Sequence, residues 1–455
     1  MARMPDQEAP PGDGQAAEAI SAVAYLRLIG LAAAIGIPAA FLAALFLSVV
    51  HWLESWLWND LPALLGFSAA PWFLLIGLPV AGALIVLAAR RLLPGDGGAP
   101  PLRGIEAGAT PPRNIPSVII AALGTLPFGA ILGPEMPVIA LGSSVGVAVT
   151  HFVKLGPRET RVIASAGTFS AISALFGGPL VAGMLLIEGS LSVGAQLIPA
   201  LLPGLVSATV GYLIFLGLGN FGGLPQAGLT VPSLPPYTSI QPVDLVVAVA
   251  VGALAVVAIW ITRLIAVRID GLVPRLSLPV VLIGGGVAVG VIALVCQLLG
   301  VNPNDVLFSG QSALPDLVSA QSVGFILIVL VAKVLGYAVS LGSGYRGGPI
   351  FPAIFLGVAL ASIAVVVLGV SPTLAIAVGT AAGMAAQTRL LFSPLLFSAL
   401  LVGSAGTDTL PAAVFASVTA WLLTSALTRR GRWPQLKPEP AHAPVPAAAA
   451  GASAA

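Results

Sequence analysis

The chain has 455 residues, of which 58% are hydrophobic and only 8% charged, with 19 basic and 17 acidic side chains and a formal net charge of +2. Soluble domains carry about 25% charged residues, so this composition excludes an ordinary globular protein and points to a polytopic membrane protein. The small net charge leaves no basic field for a run of phosphates, which excludes nucleic-acid binding, and a single cysteine, Cys296, excludes a disulfide framework or a Cys-based zinc site.

Residues 1–20 are acidic and rich in Pro and Gly; they read as a disordered cytoplasmic N-terminus, lacking the basic start and short apolar core of a cleaved signal. The first apolar stretch, from Tyr25 to about Leu53, exceeds the ~20 residues that cross a bilayer. It runs into Trp52, Trp56 and Trp58, which read as an interfacial aromatic belt. Further apolar segments follow near 73–89, 116–132, 137–152, 161–175, 179–190, 195–217, 243–267, 279–300, 323–341, 352–370, 373–386, 391–402 and 410–427. Several are too short to span alone, so those interrupted by Gly-Pro predict re-entrant or tilted half-helices that meet inside the membrane. Polar, Pro/Gly-rich loops at 92–115, 218–242 and 301–320 separate groups of segments, and the middle one divides the chain near its centre. Arg263, Arg268 and Arg275 read as membrane-edge charges. The membrane part thus runs over 21–428, with two repeats at about 73–217 and 279–428. A basic, then Pro/Ala-rich tail, 429–455, follows, and by the positive-inside rule its Arg429, Arg430, Arg432 and Lys437 put the C-terminus in the cytoplasm.

The two halves align without a gap. Gly133-Pro134-Glu135-Met136-Pro137-Val138-Ile139-Ala140-Leu141-Gly142 matches Gly348-Pro349-Ile350-Phe351-Pro352-Ala353-Ile354-Phe355-Leu356-Gly357 at six of ten positions, at an offset of 215 residues. Gly178-Pro179-Leu180 meets Ser393-Pro394-Leu395 at the same offset, so an internal duplication of the transporter kind is expected. In each copy Gly-Pro breaks the backbone, and a second proline, Pro137 or Pro352, is placed as a first helical residue. Two helix N-termini therefore begin within apolar sequence, each with unpaired N–H groups and a dipole end equivalent to about half an elementary charge, a setting that favours an anion. No buried Lys or Arg is expected beside either turn, which suits an ion that must leave again.

Glu135 is the only carboxylate, lysine or arginine between Arg113 and Lys154, and its counterpart in the second repeat is Ile350. A carboxylate at the bilayer centre costs on the order of 3 kcal/mol, so it faces a cavity or does work. Ionised, Glu135 can occupy the anion site made by its own helix end, and protonation can release it, which would make one residue both gate and proton carrier. The alternative is a helix-end carboxylate that only satisfies N–H groups.

At this point the residues resemble a known family. The stretch Gly124-Thr125-Leu126 to Gly133-Pro134-Glu135-Met136-Pro137 is similar to a segment of the CLC chloride channels and proton/chloride antiporters, as are Leu341-Gly342-Ser343-Gly344-Tyr345-Arg346-Gly347-Gly348-Pro349-Ile350-Phe351-Pro352, with Lys333 upstream, and Leu175 to Gly183 followed by Ile187-Glu188. The resemblance implies an all-α membrane protein of two inverted-topology repeats with broken, re-entrant half-helices, assembled as a homodimer in the cell membrane. It makes Glu135 the gating and proton-carrying residue, and puts anion binding at Gly133, Pro134, Met136, Gly348, Pro349, Ile350 and Phe351. The family's pore serine aligns with Gly97 and its pore tyrosine falls close to Gly406, so both hydroxyls are replaced by glycine, and Pro349 removes an N–H that would face the ion. The match sets Glu188 at the first of two paired glutamates and Gly189 at the proton-relay position, leaving Glu188 either a candidate relay or a helix cap.

The expected function is transport of a small inorganic anion, chloride first, through a pore gated by Glu135. Absence of the relay favours a passive voltage- or pH-gated channel; the alternatives are a proton-coupled chloride or fluoride antiporter, or a non-conducting scaffold. Partners are the anion, protons and membrane lipid. No cofactor, metal or enzymatic activity is expected, since no nucleophile-base pair, intramembrane aspartate pair or phosphate loop is visible.

Overall fold

Long runs of Ala, Leu, Val and Ile with few charges leave the backbone one way to satisfy its polar groups in lipid, which is to hydrogen-bond within helices. The computed structural model describes residues 22–436 except 105–107, 154, 190–197 and 223–228. The expected N-terminal segment 1–20 and the tail from Lys437 onward lie outside the described residues.

Among the described residues fourteen helices of ten or more residues build the fold. They are α1 (Ala22–Ser55), α2 (Trp72–Leu92), α3 (Ile115–Thr125), α4 (Glu135–Phe152), α5 (Pro157–Phe176), α6 (Pro179–Gly189), α7 (Ile198–Gly222), α8 (Pro242–Asp270), α9 (Leu278–Leu298), α10 (Val323–Gly342), α11 (Ile350–Leu368), α12 (Pro372–Thr388), α13 (Phe392–Val402) and α14 (Leu410–Arg429). Eight stretches are long and apolar enough to cross a membrane, while α6 and α13 are too short at 11 residues each. Proline opens α5, α6, α8 and α12, where its missing N–H would be unpaired anyway.

The duplication is carried by the packing. α4 lies along α5 as α11 lies along α12, and α5 against α7 as α12 against α14. α1 packs on α7 as α8 packs on α14. Glycines permit the close approaches: a Cβ at Gly142 would strike the backbone of Gly167, and one at Gly357, 215 residues on, that of Gly379. The second copy is the more enclosed, and α12 is buried from Thr373 to Gln387.

Several expectations are corrected. The segment expected at 116–132 is helical only to Thr125, because the chain leaves the helix to form the turn that delivers Glu135. α4 and α11 begin at Glu135 and Ile350, two residues before Pro137 and Pro352, whose missing N–H still falls within the unpaired first turn. Trp52 and Trp56 are exposed as a belt requires, but Trp58 is buried. Its Nε1 donates to the Pro127 carbonyl at 2.9 Å, and its ring covers Gly129, which takes φ +91° in the same turn. Arg263 is also buried and donates to the carbonyls of Pro434 (3.1 Å) and Leu102 (2.9 Å), so the first residues of the tail fold back on α8.

Candidate functional site

The two Gly-Pro turns meet. Gly133 N donates to Gly348 O at 2.7 Å, and Gly348 N donates to Gly133 O at 2.5 Å. This reciprocal antiparallel pair joins residues 215 positions apart, as a two-fold relation between inverted repeats requires. The Pro134 and Pro349 residues that follow cap α4 and α11, so both helix N-termini converge on one point in the interior.

Glu135 fills that point. It is completely buried, and its Oε1 accepts from Ile350 N (3.1 Å) and Phe351 N (2.9 Å), the first free N–H groups of α11. The carboxylate of one repeat is therefore seated chiefly on the helix end of the other, correcting the expectation that it would sit at its own. Its Oε2 has no partner and lies over the glycine bridge, where a Cβ on Gly133 or Gly348 would fall on the carboxylate. Pro349 removes no donor from this contact, because the N–H groups used are those of the next two residues. The Pro349 carbonyl accepts from Tyr337 Oη at 2.8 Å, which fixes the turn from behind. Phe351 packs against Phe176, with ring centroids 5.7 Å apart.

Two cavities approach from different directions without exposing the carboxylate. One, of about 460 Å³, is lined by Pro134 with Leu132, His51, Glu54 and Phe308. The other, of about 710 Å³, is lined by Pro349 with Glu188, Gln387, Arg389, Trp421 and Trp433. Pro134 and Pro349 are equivalents at the 215-residue offset, so each cavity reaches one of the two turns that flank Glu135.

Gly133, Pro134, Gly348, Pro349, Ile350 and Phe351 all gather at Glu135. Met136 and Gly97 both line a third cavity of about 260 Å³, with Arg346 and Gly347. Gly406 does not join them: it packs against Thr373 and Val402 before the start of α14, whereas the residues of α14 that line the Pro349 cavity, Trp421 and Ser425, lie at least two turns further along. Its alignment with a pore residue fails because sequence proximity to the last helix does not say which end of that helix faces the route. Glu188 is a cap. Its Oε1 accepts from Leu391 N and Phe392 N, and its Oε2 from Ser393 N and Oγ, at 2.6–2.9 Å, closing the N-terminus of α13.

Buried cations do lie near the turns, contrary to expectation, but each is engaged. Arg346, 4% exposed, donates through Nε to Asp96 O at 3.0 Å and pairs with the Asp96 carboxylate, which Arg90 also holds at 2.8 Å. Lys333 is fully buried, donates to the carbonyls of Leu307 (2.9 Å) and Phe308 (3.2 Å), and lies 4.4 Å from the Phe355 ring centroid. Residue patterning missed Tyr337, whose role depends on a carbonyl twelve residues later, and Gln387, whose signal was an amide at the end of an otherwise apolar helix.

Two inverted helical halves, meeting end to end inside apolar sequence around a buried carboxylate on free N–H groups, define a membrane transport protein of the broken-helix class. The family model described as voltage gated chloride channel matches residues 81–425, and the chain belongs to this CLC family of anion transporters and channels. A relative named as ion-transport protein YfeO, from Escherichia fergusonii, is 29% identical over 340 residues, covering 72% of this chain and 77% of that protein. YfeO of an Escherichia coli strain is 30% identical with the same coverage. In fold, the chain is similar to a slow cyanobacterial Cl⁻/H⁺ antiporter (TM-score 0.73, 18% identity, 88% of this chain and 95% of that one). It is also similar to a CLC-type fluoride/proton antiporter (TM-score 0.68, 20% identity, 89% and 97%).

Proposed function

We propose that this protein exchanges a small inorganic anion, chloride or fluoride, for protons, with Glu135 as both gate and proton carrier. The observation that carries the reading is the Glu135 carboxylate on Ile350 N and Phe351 N, between the two cavities. A carboxylate and a free anion compete for the same N–H pair. Ionised, Glu135 holds it; protonated, it loses its charge-assisted bonds and the anion takes its place. Proton uptake and anion entry are thereby tied to one event, which favours exchange over the passive channel suggested by the missing relay. Similarity in fold to two antiporters supports the same choice. Glu188, held across the N-terminus of α13, serves that helix and not the proton path. The basic residues after α14 put the C-terminus in the cytoplasm, and the homodimer is taken from the resemblance alone.

The test is an anion gradient across liposomes containing the full-length protein, with proton movement recorded beside chloride, fluoride and nitrate flux. Uphill proton movement in the wild type, abolished by Glu135→Gln while anion flux persists, is the expected result. Anion flux without proton movement would restore the passive channel, and no flux of any anion would leave a scaffold.

A further inference from the structure

The cavity at Pro349 holds a polar group that neither the helix packing nor the Glu135 contact uses. Gln387 stands in the last turn of α12, 7% exposed, and lines this cavity with Pro349, Thr388 and Arg389. Neither Oε1 nor Nε2 of its amide has a hydrogen-bond partner. A buried amide left unpaired is costly, so a ligand that reached it from the cavity would gain a hydrogen bond and relieve that cost.

The charge around it points to the sign of that occupant. Three arginines, Arg103, Arg263 and Arg389, line the cavity, and the one lining carboxylate among the described residues, Glu188, is occupied on the N-terminus of α13. Among the described residues, the cavity at Pro134 has no arginine or lysine in its wall, and its charged or titratable groups are His51 and Glu54. The cavity at Pro349 is thus the one whose field gathers anions. Within it, Gln387 offers a neutral N–H donor. Such a donor holds an anion without trapping it, as passage requires.

We infer that Gln387 is an anion-binding residue of the transport route, its Nε2 donating to the ion in the Pro349 cavity before or after the ion occupies the N–H pair of Ile350 and Phe351. The inference rests on anion transport as proposed above.

The test uses full-length protein in liposomes and measures chloride and fluoride flux against concentration for the wild type, Gln387→Met and Gln387→Glu. Methionine keeps the length and removes the donor; glutamate keeps the shape and replaces the donor with a charge. The expected result is a rise of roughly tenfold in the half-saturating anion concentration for Gln387→Met, the loss of one hydrogen bond to a charged ligand. Gln387→Glu should show a deeper loss that recovers on acidification, because a protonated carboxyl again offers a donor. If Gln387→Met does not fold, the acid recovery of Gln387→Glu decides. Wild-type concentration dependence in both variants, or a Gln387→Glu defect that acid does not restore, would overturn the assignment while wild-type flux stood. A silent wild type would instead overturn anion transport, and the assignment with it.

Discussion

Replacing Gly133 with alanine addresses the gate without removing any hydrogen-bonding group. The three atoms nearest the added Cβ all belong to the Glu135 carboxyl group, with Cδ and Oε1 each at 2.6 Å, well inside contact distance. Gly133 does not adopt a positive φ, so alanine is tolerated by the backbone and only the carboxylate must move. Moving it breaks the bonds from Ile350 N and Phe351 N, worth together about 1–3 kcal/mol once the displaced carboxylate is hydrated in a cavity. That energy is a cost which the clash must outweigh, and a clash exceeding it by about 1–3 kcal/mol favours the displaced state by about 5- to 150-fold. In liposomes, Gly133→Ala should therefore raise anion flux and lower the number of protons moved per anion. In a Glu135→Ala background the same substitution should add nothing, since the carboxylate it displaces is gone. If Gly133→Ala alters flux equally with and without the Glu135 carboxylate, the glycine serves the Gly133–Gly348 bridge alone and the steric reasoning is refuted.

Two further outcomes are expected. Glu188→Gln replaces a two-oxygen acceptor with an amide at the N-terminus of α13 and should lower thermal stability by about 0.5–2 kcal/mol while leaving protons per anion unchanged; coupling lost at unchanged stability would make Glu188 a relay. Tyr337→Phe leaves the buried Pro349 carbonyl without its donor, at a cost of about 1–3 kcal/mol, and should weaken thermal stability and disturb flux together. A Tyr337→Phe protein matching the wild type in both melting and transport would show that the turn holds its shape without this bond.

What the sequence determined by itself was periodic and local. The apolar runs, the Gly-Pro breaks and the 215-residue offset were enough to place two helix N-termini inside the membrane with Glu135 at the first of them. These survive because bilayer thickness and backbone hydrogen bonding act on consecutive residues. The tertiary structure decided everything that depends on which end of one element meets another. It seated Glu135 chiefly on Ile350 and Phe351, at the helix end of the other repeat, turned Glu188 from a candidate relay into a cap, and placed Gly406 before α14 while the Pro349 cavity meets that helix further along. It also buried Trp58 and Arg263, which local composition had assigned to the membrane edge, and brought Gln387 to the cavity at Pro349. Contacts between residues 200 positions apart leave no mark on the spacing near either partner. They follow from the two-fold packing of the inverted halves, which only the folded chain sets.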